Sequence, residues 1–370
     1  MPSPVKPWRV IVKAVLILGV LNFAFIDIEP WLADHQVYNL IVPGRLRLPF
    51  AGDNQEMLSY NENLSDDYDA MFASHVISGR YKQPDEYRVI LIGDSSMWGY
   101  NLPPADILSE QMNRLSLLTC QGKSIRFYDL AYLGTYVPKD LLVLERAVQD
   151  QPDLIIWGVT LNALATHDAA DLAQIEPQAD EMLRLVRGFG LKLDTSRLQP
   201  PSMFQKTALG GKGKIRRWAV FQFDGLLWAA TGIDLNVRNF PPPSNNVSAD
   251  VAYYGNASLH LRTDRLSFDV IRAGYELAGH VPVLVVNEPI FVANGKNSNV
   301  RYNLYYPRWA YDQYREWLSA QMRANGYRYL DLWNMVPSSL FGDTPLHLTS
   351  AGESRLAADL VPDIQAIACP

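Results

Sequence analysis

The sequence predicts an α/β fold in which a mostly parallel five-stranded sheet is covered by helices on both faces and preceded by one N-terminal transmembrane helix. Three observations carry this. Short apolar, strand-like runs alternate five times with longer stretches of helical periodicity, the pattern of a parallel sheet with crossover helices. One long insertion interrupts the alternation, which then resumes. A single apolar run near the N-terminus is long enough to cross a bilayer.

The chain of 370 residues is 48% hydrophobic and 19% charged, with a formal net charge of −6 and no dominant block of like charge. A large core is available, and neither disorder nor nucleic-acid binding is supported. A neutral or membrane-associated partner is expected. No cofactor or metal is expected; Cys120 and Cys369, an even pair without metal-type spacing, suit a secretory route, with two unpaired thiols as the alternative.

Residues Val10 to Ile26 form the apolar run, broken only by Lys13 and Asn22, with Lys6 and Arg9 before it and Asp27, Glu29 and Asp34 after it. Its seventeen residues span roughly 26 Å as a helix, close to a bilayer core. Lys13 can snorkel to the cytoplasmic end, Trp8 and Trp31 stand where interfacial aromatics belong, and the basic flank marks the inside. A cleaved signal peptide and a short amphipathic or buried helix compete with this reading. No small-x-small cleavage site follows the run, which favours the anchor. Residues 1–30 are thus read as anchor, 31–85 as a polar, aromatic-dotted stalk or lead-in, and 86–370 as the main domain, outside the cell membrane.

Within that domain Arg88 to Ile92 reads as a strand ending in Gly93-Asp94-Ser95-Ser96, followed by helical text near Ala105 to Leu118. Ile125 to Leu130 and Asp153 to Trp157 are the next strands, with a helix near Pro138 to Gln149 between them. The insertion, about 181–260, starts with helical text, passes Pro200-Pro201, a basic glycine-rich run with Lys212, Lys214, Arg216 and Arg217, and an aromatic stretch from Trp218 to Ile233. Such text suits an anionic membrane surface or a cap packed on the domain; Asp224 and Gly225 interrupt the apolar face and favour the cap. A helix near Arg262 to Ala278, a strand at Val281 to Val286, a helix ending near Asn325, a strand at Tyr327 to Asp331 and a last helix from Ser350 to Ile367 complete the series.

A serine hydroxyl needs a base to remove its proton, and the oxyanion it creates needs preorganised donors. In an open α/β sheet such groups converge at the carboxyl ends of strands. Four candidates fall there. Ser95 follows the first strand, where Gly93 relieves the turn and a helix start favours negative charge. Gly134 lies just beyond the second strand and allows close backbone approach. Asn162 follows the third and offers an amide donor. His347 sits in Asp343-Thr344-Pro345-Leu346-His347 before the last helix, where Asp343 can orient one ring nitrogen while the other faces the serine. Each alone is commoner as a helix cap, a turn glycine or a structural histidine.

In order, Gly93-Asp94-Ser95-Ser96, Gly134, Asn162 and His347 resemble the four blocks of the SGNH/GDSL hydrolase superfamily, over roughly Tyr87 to the C-terminus without the insertion. The resemblance implies a three-layer α/β/α flavodoxin-like domain and a serine esterase or acyltransferase. Ser95 would be its nucleophile, and Asp343 would orient His347. Ser95 N–H, Gly134 N–H and the Asn162 side chain would form the oxyanion hole. Two features depart from the family. Its acid often stands three residues before the histidine, a place held here by Thr344, with Asp331 as a reserve acid. Its third block reads Gly-x-Asn-Asp, whereas this chain has Gly158-Val159-Thr160-Leu161-Asn162-Ala163.

After the fourth strand an amide- and tyrosine-rich loop, with Asn287, Arg301 and Tyr302 as candidate substrate contacts, suggests a sugar near the site, although turn asparagines and packed tyrosines give the same text. The leading expectation is removal or transfer of acyl groups, acetyl above all, on an extracytoplasmic polysaccharide or cell-envelope polymer, as similar anchored proteins act beside membrane O-acyltransferases. A lipid esterase or thioesterase and a noncatalytic glycan-binding scaffold are the alternatives. The sheet order implied by the resemblance puts the helices after the first and last strands on one face, which would let Cys120 and Cys369 meet in a disulfide; two free thiols near chain and helix ends are the alternative.

Overall fold

The structure, a computed structural model, describes residues 6–34, 44–48, 68–78, 80–134, 136–165, 175–231, 241–256 and 259–369. Much of the expected lead-in, residues 166–174, and the insertion's 232–240 and 257–258 lie outside the described residues.

Five strands form one parallel sheet: β1 (Glu86–Ile92), β2 (Ser124–Asp129), β3 (Leu154–Val159), β4 (Val283–Asn287) and β5 (Arg328–Asp331), in the order β2-β1-β3-β4-β5. Their apolar residues alternate between two cores. Val89, Leu91, Leu154, Ile156, Leu284 and Val286 face one side, while Ile90, Ile92, Ile155, Trp157, Val283 and Val285 face the other. A strand buried on both faces has no polar side to show. This is why these stretches read as unbroken apolar runs.

Helix α1 is Pro7–Asp34 and α2 is Tyr68–Ala73; α3 (Leu108–Arg114) follows β1, and α4 (Val137–Ala147) follows β2. Beyond β3 come α5 (Leu161–Leu164), α6 (Ala179–Phe189), α7 (Met203–Lys206), α8 (Lys212–Thr231) and α9 (Phe268–Ala278). Helix α10 (Arg308–Asn325) joins β4 to β5, and α11 (Ser350–Ala368) ends the chain. Leu108 and Met112 of α3 and Leu356, Leu360 and Ile364 of α11 pack on one sheet face; α4, α9 and α10 cover the other. The fold class is thus the expected one.

Because α3 and α11 share a face, their ends meet. Cys120 and Cys369 are disulfide-bonded with their Cα atoms 5.2 Å apart. The lead-in packs on the domain where it is described. Leu48, Met71, Phe72 and Ile77 are buried in the α4-side core. His75 is buried beside them, its Nδ1 accepting from the Ile77 amide at 3.1 Å and its Nε2 3.2 Å from the Leu46 carbonyl.

Candidate active site

The chain leaves β1 in one direction, toward β2, and returns past β1 to β3. The carboxyl ends of β1 and β3 therefore flank the crevice in which open α/β sheets place their chemistry. Ser95 sits three residues past β1 and is partly exposed. Gly93 makes the turn: its φ is +150°, and a Cβ there would stand 2.7 Å from Met97 Cγ. Gly158 at the end of β3 is equally constrained, since a Cβ would meet Met97 Cγ at 2.4 Å and Glu288 Oε1 at 2.5 Å.

Ser95 Oγ lies 2.8 Å from His347 Nε2, and His347 Nδ1 lies 2.9 Å from Asp343 Oδ1. With Asp343 accepting from Nδ1–H, the Nε2 lone pair faces the serine hydroxyl. Thr344 explains how Asp343 reaches the ring from four residues upstream. Its Oγ1 accepts from the Leu346 and His347 amides at 3.3 and 3.2 Å, turning the loop so that Asp343 comes back under the ring. Ser96 Oγ ties the two loops by donating to the Leu346 carbonyl at 2.9 Å, and Tyr100 packs its ring 4.8 Å from that of His347. The reserve acid is engaged elsewhere: Asp331 accepts from Arg315 at 2.6 Å and from Asn287 Nδ2 at 2.7 Å.

Ser95, Gly134 and Asn162 stand just past three adjacent strands. Neither the Ser95 nor the Gly134 amide donates to any described residue. The Asn162 side chain is nearly buried, and its Oδ1 accepts from the hydroxyl of Tyr253 at 2.9 Å. That bond decides which end of the amide is which, leaving Nδ2 as the free donor. Tyr253 belongs to the insertion. Burial pushes its pKa well above the usual tyrosine range, so it remains a donor. The sequence reading missed it because nothing local marks one tyrosine among nineteen.

Two further residues that the reading missed hold the loops. The ammonium of buried Lys139 donates to the carbonyls of Gly93 at 3.1 Å, Gly134 at 3.0 Å and Tyr132, and pairs with Asp140 Oδ1 at 2.9 Å. It ties the loop bearing Ser95 to the loop bearing Gly134. From the lead-in, Arg47 donates to the carbonyls of Gly99 at 2.7 Å and Leu102 at 3.0 Å and stacks on Trp98, whose indole N–H bonds the Leu48 carbonyl at 2.7 Å. Beneath the serine, burial and then the Asp94 carboxylate push Glu288 well above the carboxylate range, while Asp94 accepts from the Ser96 amide at 2.8 Å.

The three side chains expected to touch substrate make internal contacts. Asn287 is buried, donating to Asp331 and accepting from Tyr314 at 3.0 Å. Arg301 is caged by five carbonyls, those of Asp250, Ala252, Asn303, Leu304 and Tyr305. Tyr302 donates to Asp312 at 2.8 Å and packs on Trp333. They lock the loop after β4 to the end of the insertion. Amides, a guanidinium and phenols that can bind a sugar can equally satisfy buried backbone, and here they do. Among the described residues, no cluster of His, Cys, Asp and Glu could hold a metal ion.

No family model and no curated protein matches the chain. Solved structures similar to it include a lipolytic protein of the G-D-S-L family from Veillonella parvula, at 10% identity and a TM-score of 0.34 over 74% of this chain and 96% of that one. A putative arylesterase from Agrobacterium tumefaciens is 12% identical, with a TM-score of 0.34 over 76% and 99%. A carbohydrate acetylesterase family member from Sinorhizobium meliloti is also 12% identical, with a TM-score of 0.32 over 76% and 98%. At such identities and scores these likenesses add nothing to the chemistry read from the site.

Proposed function

We propose that the chain is a serine-dependent esterase or O-acyltransferase of the SGNH/GDSL type, held outside the membrane by α1. The observation that carries it is the relay of Ser95, His347 and Asp343, bonded at 2.8 and 2.9 Å on loops from opposite ends of the domain. A chance packing contact does not supply all three roles in order.

In this reading Ser95 Oγ attacks an ester carbonyl as His347 Nε2 takes its proton, and Asp343 steadies the imidazolium. The carbonyl oxygen, now an oxyanion, accepts from Ser95 N–H, Gly134 N–H and Asn162 Nδ2, each donor of this kind being worth about 2.7–4 kcal/mol. His347 returns the proton to the leaving alkoxide, and Ser95 carries the acyl group. Water then completes hydrolysis, whereas a second hydroxyl completes transfer. The acylated polymer proposed as substrate, the acetyl group and a neighbouring membrane O-acyltransferase rest on the family resemblance and the apolar α1.

The test is a fluorophosphonate probe and a chromogenic acetyl ester. Wild type should label and turn over; Ser95→Ala should do neither, losing on the order of 10⁶ in rate while keeping its fold. Turnover of Ser95→Ala above about one hundredth of wild type would refute the nucleophile. Acetate release against acyl transfer to added saccharide divides the two reactions.

A further inference from the structure

We propose that the insertion is a second membrane-seated element, lying in the outer leaflet beside α1 with the lipid bilayer itself as its partner. The proposal rests on the reading of α1 as a membrane span. From Lys6 to Leu21 the helix is almost entirely exposed, whereas Phe25 is buried and Asn22, Ala24 and Ile26 are half-buried. The insertion makes part of that contact. The Ala208 amide donates to the Asn22 carbonyl at 3.2 Å, and the Leu209 amide donates to Asn22 Oδ1 at 2.7 Å.

The depth of this pair is what matters. The apolar span runs from Pro7 to Ile28, so Asn22 lies six residues, about 9 Å along the axis, inside its outer end. No water is at hand there, and an unpaired amide costs several kcal/mol. Asn22, the one break in the outer half of the run, and the irregular backbone of residues 208–209 satisfy each other. Non-helical backbone at such a depth is tolerated when protein pairs with it. The side chains around it suit acyl chains: Met203, Phe204 and Leu209 are 66%, 64% and 60% exposed.

The surface continues along α8. Ile215, Ala219, Phe223, Leu226 and Ala230 recur at helical spacing and are all exposed, forming one apolar stripe. Lys212 and Arg216, also exposed, flank its beginning, where Gly211 adjoins Phe25 of α1. Cations at the level of the last turn of a span reach the headgroups, and an apolar face beside them enters the leaflet. The sequence alone favoured a cap packed on the domain. The exposed stripe and the tie to α1 favour lipid.

The test uses the full chain in vesicles of phosphatidylcholine and phosphatidylglycerol, with one nitroxide-labelled cysteine at a time: Phe204→Cys, Leu209→Cys, Ile17→Cys in mid-span, and Tyr81→Cys, where the side chain is 92% exposed. The native cysteines are bonded to each other and do not take the label. Collisions with oxygen, enriched in hydrocarbon, are compared with those of a water-soluble nickel chelate, and fluorophosphonate reactivity checks each variant's fold. Labels at 204 and 209 should favour oxygen as the label at 17 does, and the label at 81 should favour the chelate. Chelate access at 204 or 209 with the label at 17 in lipid would overturn the proposal and leave the anchor standing. Protection from both reagents would mean a protein neighbour and would overturn it too. A label at 17 in water would remove the anchor and the proposal together.

Discussion

Removing one hydroxyl from the insertion tests the proposed oxyanion hole. Tyr253→Phe deletes the donor that holds Asn162 Oδ1 at 2.9 Å without changing the packing of the ring. A buried amide oxygen that loses its partner gives up about 1–3 kcal/mol of preference for its native orientation. The amide can then turn over and present oxygen, not Nδ2–H, to the developing charge. The upper limit is the whole donor, about 10²–10³ in kcat, which Asn162→Ala should show. A loss of about 1–2 kcal/mol of the transition-state stabilisation that the amide supplies corresponds to roughly 5- to 30-fold in kcat with KM unchanged. Steady-state turnover of a chromogenic acetyl ester measures it. The decisive comparison is Tyr253→Phe in the Asn162→Ala background, where the hydroxyl has nothing left to orient and its loss should cost less than about two-fold. Equal losses in both backgrounds, or a change confined to KM, would refute the reasoning.

Asp343→Asn should lower turnover by about 10⁴ by favouring the wrong imidazole tautomer, whereas Asp331→Asn should leave kcat near wild type and lower the melting temperature through its lost Arg315 pair; the reverse order would move the acid. Burial pushes His75 down to about 4, so the unfolded chain binds the extra proton between that value and about 6.5. Its stability contribution is therefore complete above about 6.5 and is lost as pH falls toward 4, by about 3 kcal/mol. Buried carboxyls such as Asp140, pushed up to about 6 by burial, act in the opposite sense. The measurement is thus the difference in denaturant stability between wild type and His75→Gln across that range, and a flat difference would sink it. Reducing the Cys120–Cys369 bridge, which joins residues 249 apart, should cost up to roughly 5 kcal/mol, read as a lower denaturation midpoint in reductant.

The sequence by itself determined the sheet, the order of its parts and the candidates for the proposed chemistry. Strand and helix periodicities are local: Val89 to Ile92 is apolar on both faces because both faces are covered, and that pattern is legible without any partner. Ser95 and His347 were legible as candidates, because serine chemistry at strand ends needs particular residue types in a particular order, and the fold brings them within 2.8 Å. Only the tertiary structure decided how shared polar groups were assigned. Asn287, Arg301 and Tyr302 have the donors a sugar would want, and the fold used those donors on Asp331, five carbonyls and Asp312. Tyr253, Lys139 and Arg47 acquire their importance from acceptors up to 91 residues away, on loops brought together by the sheet. A hydrogen-bonding side chain carries its capacity in the sequence, but its partner is chosen by which backbone lies within about 3 Å after folding.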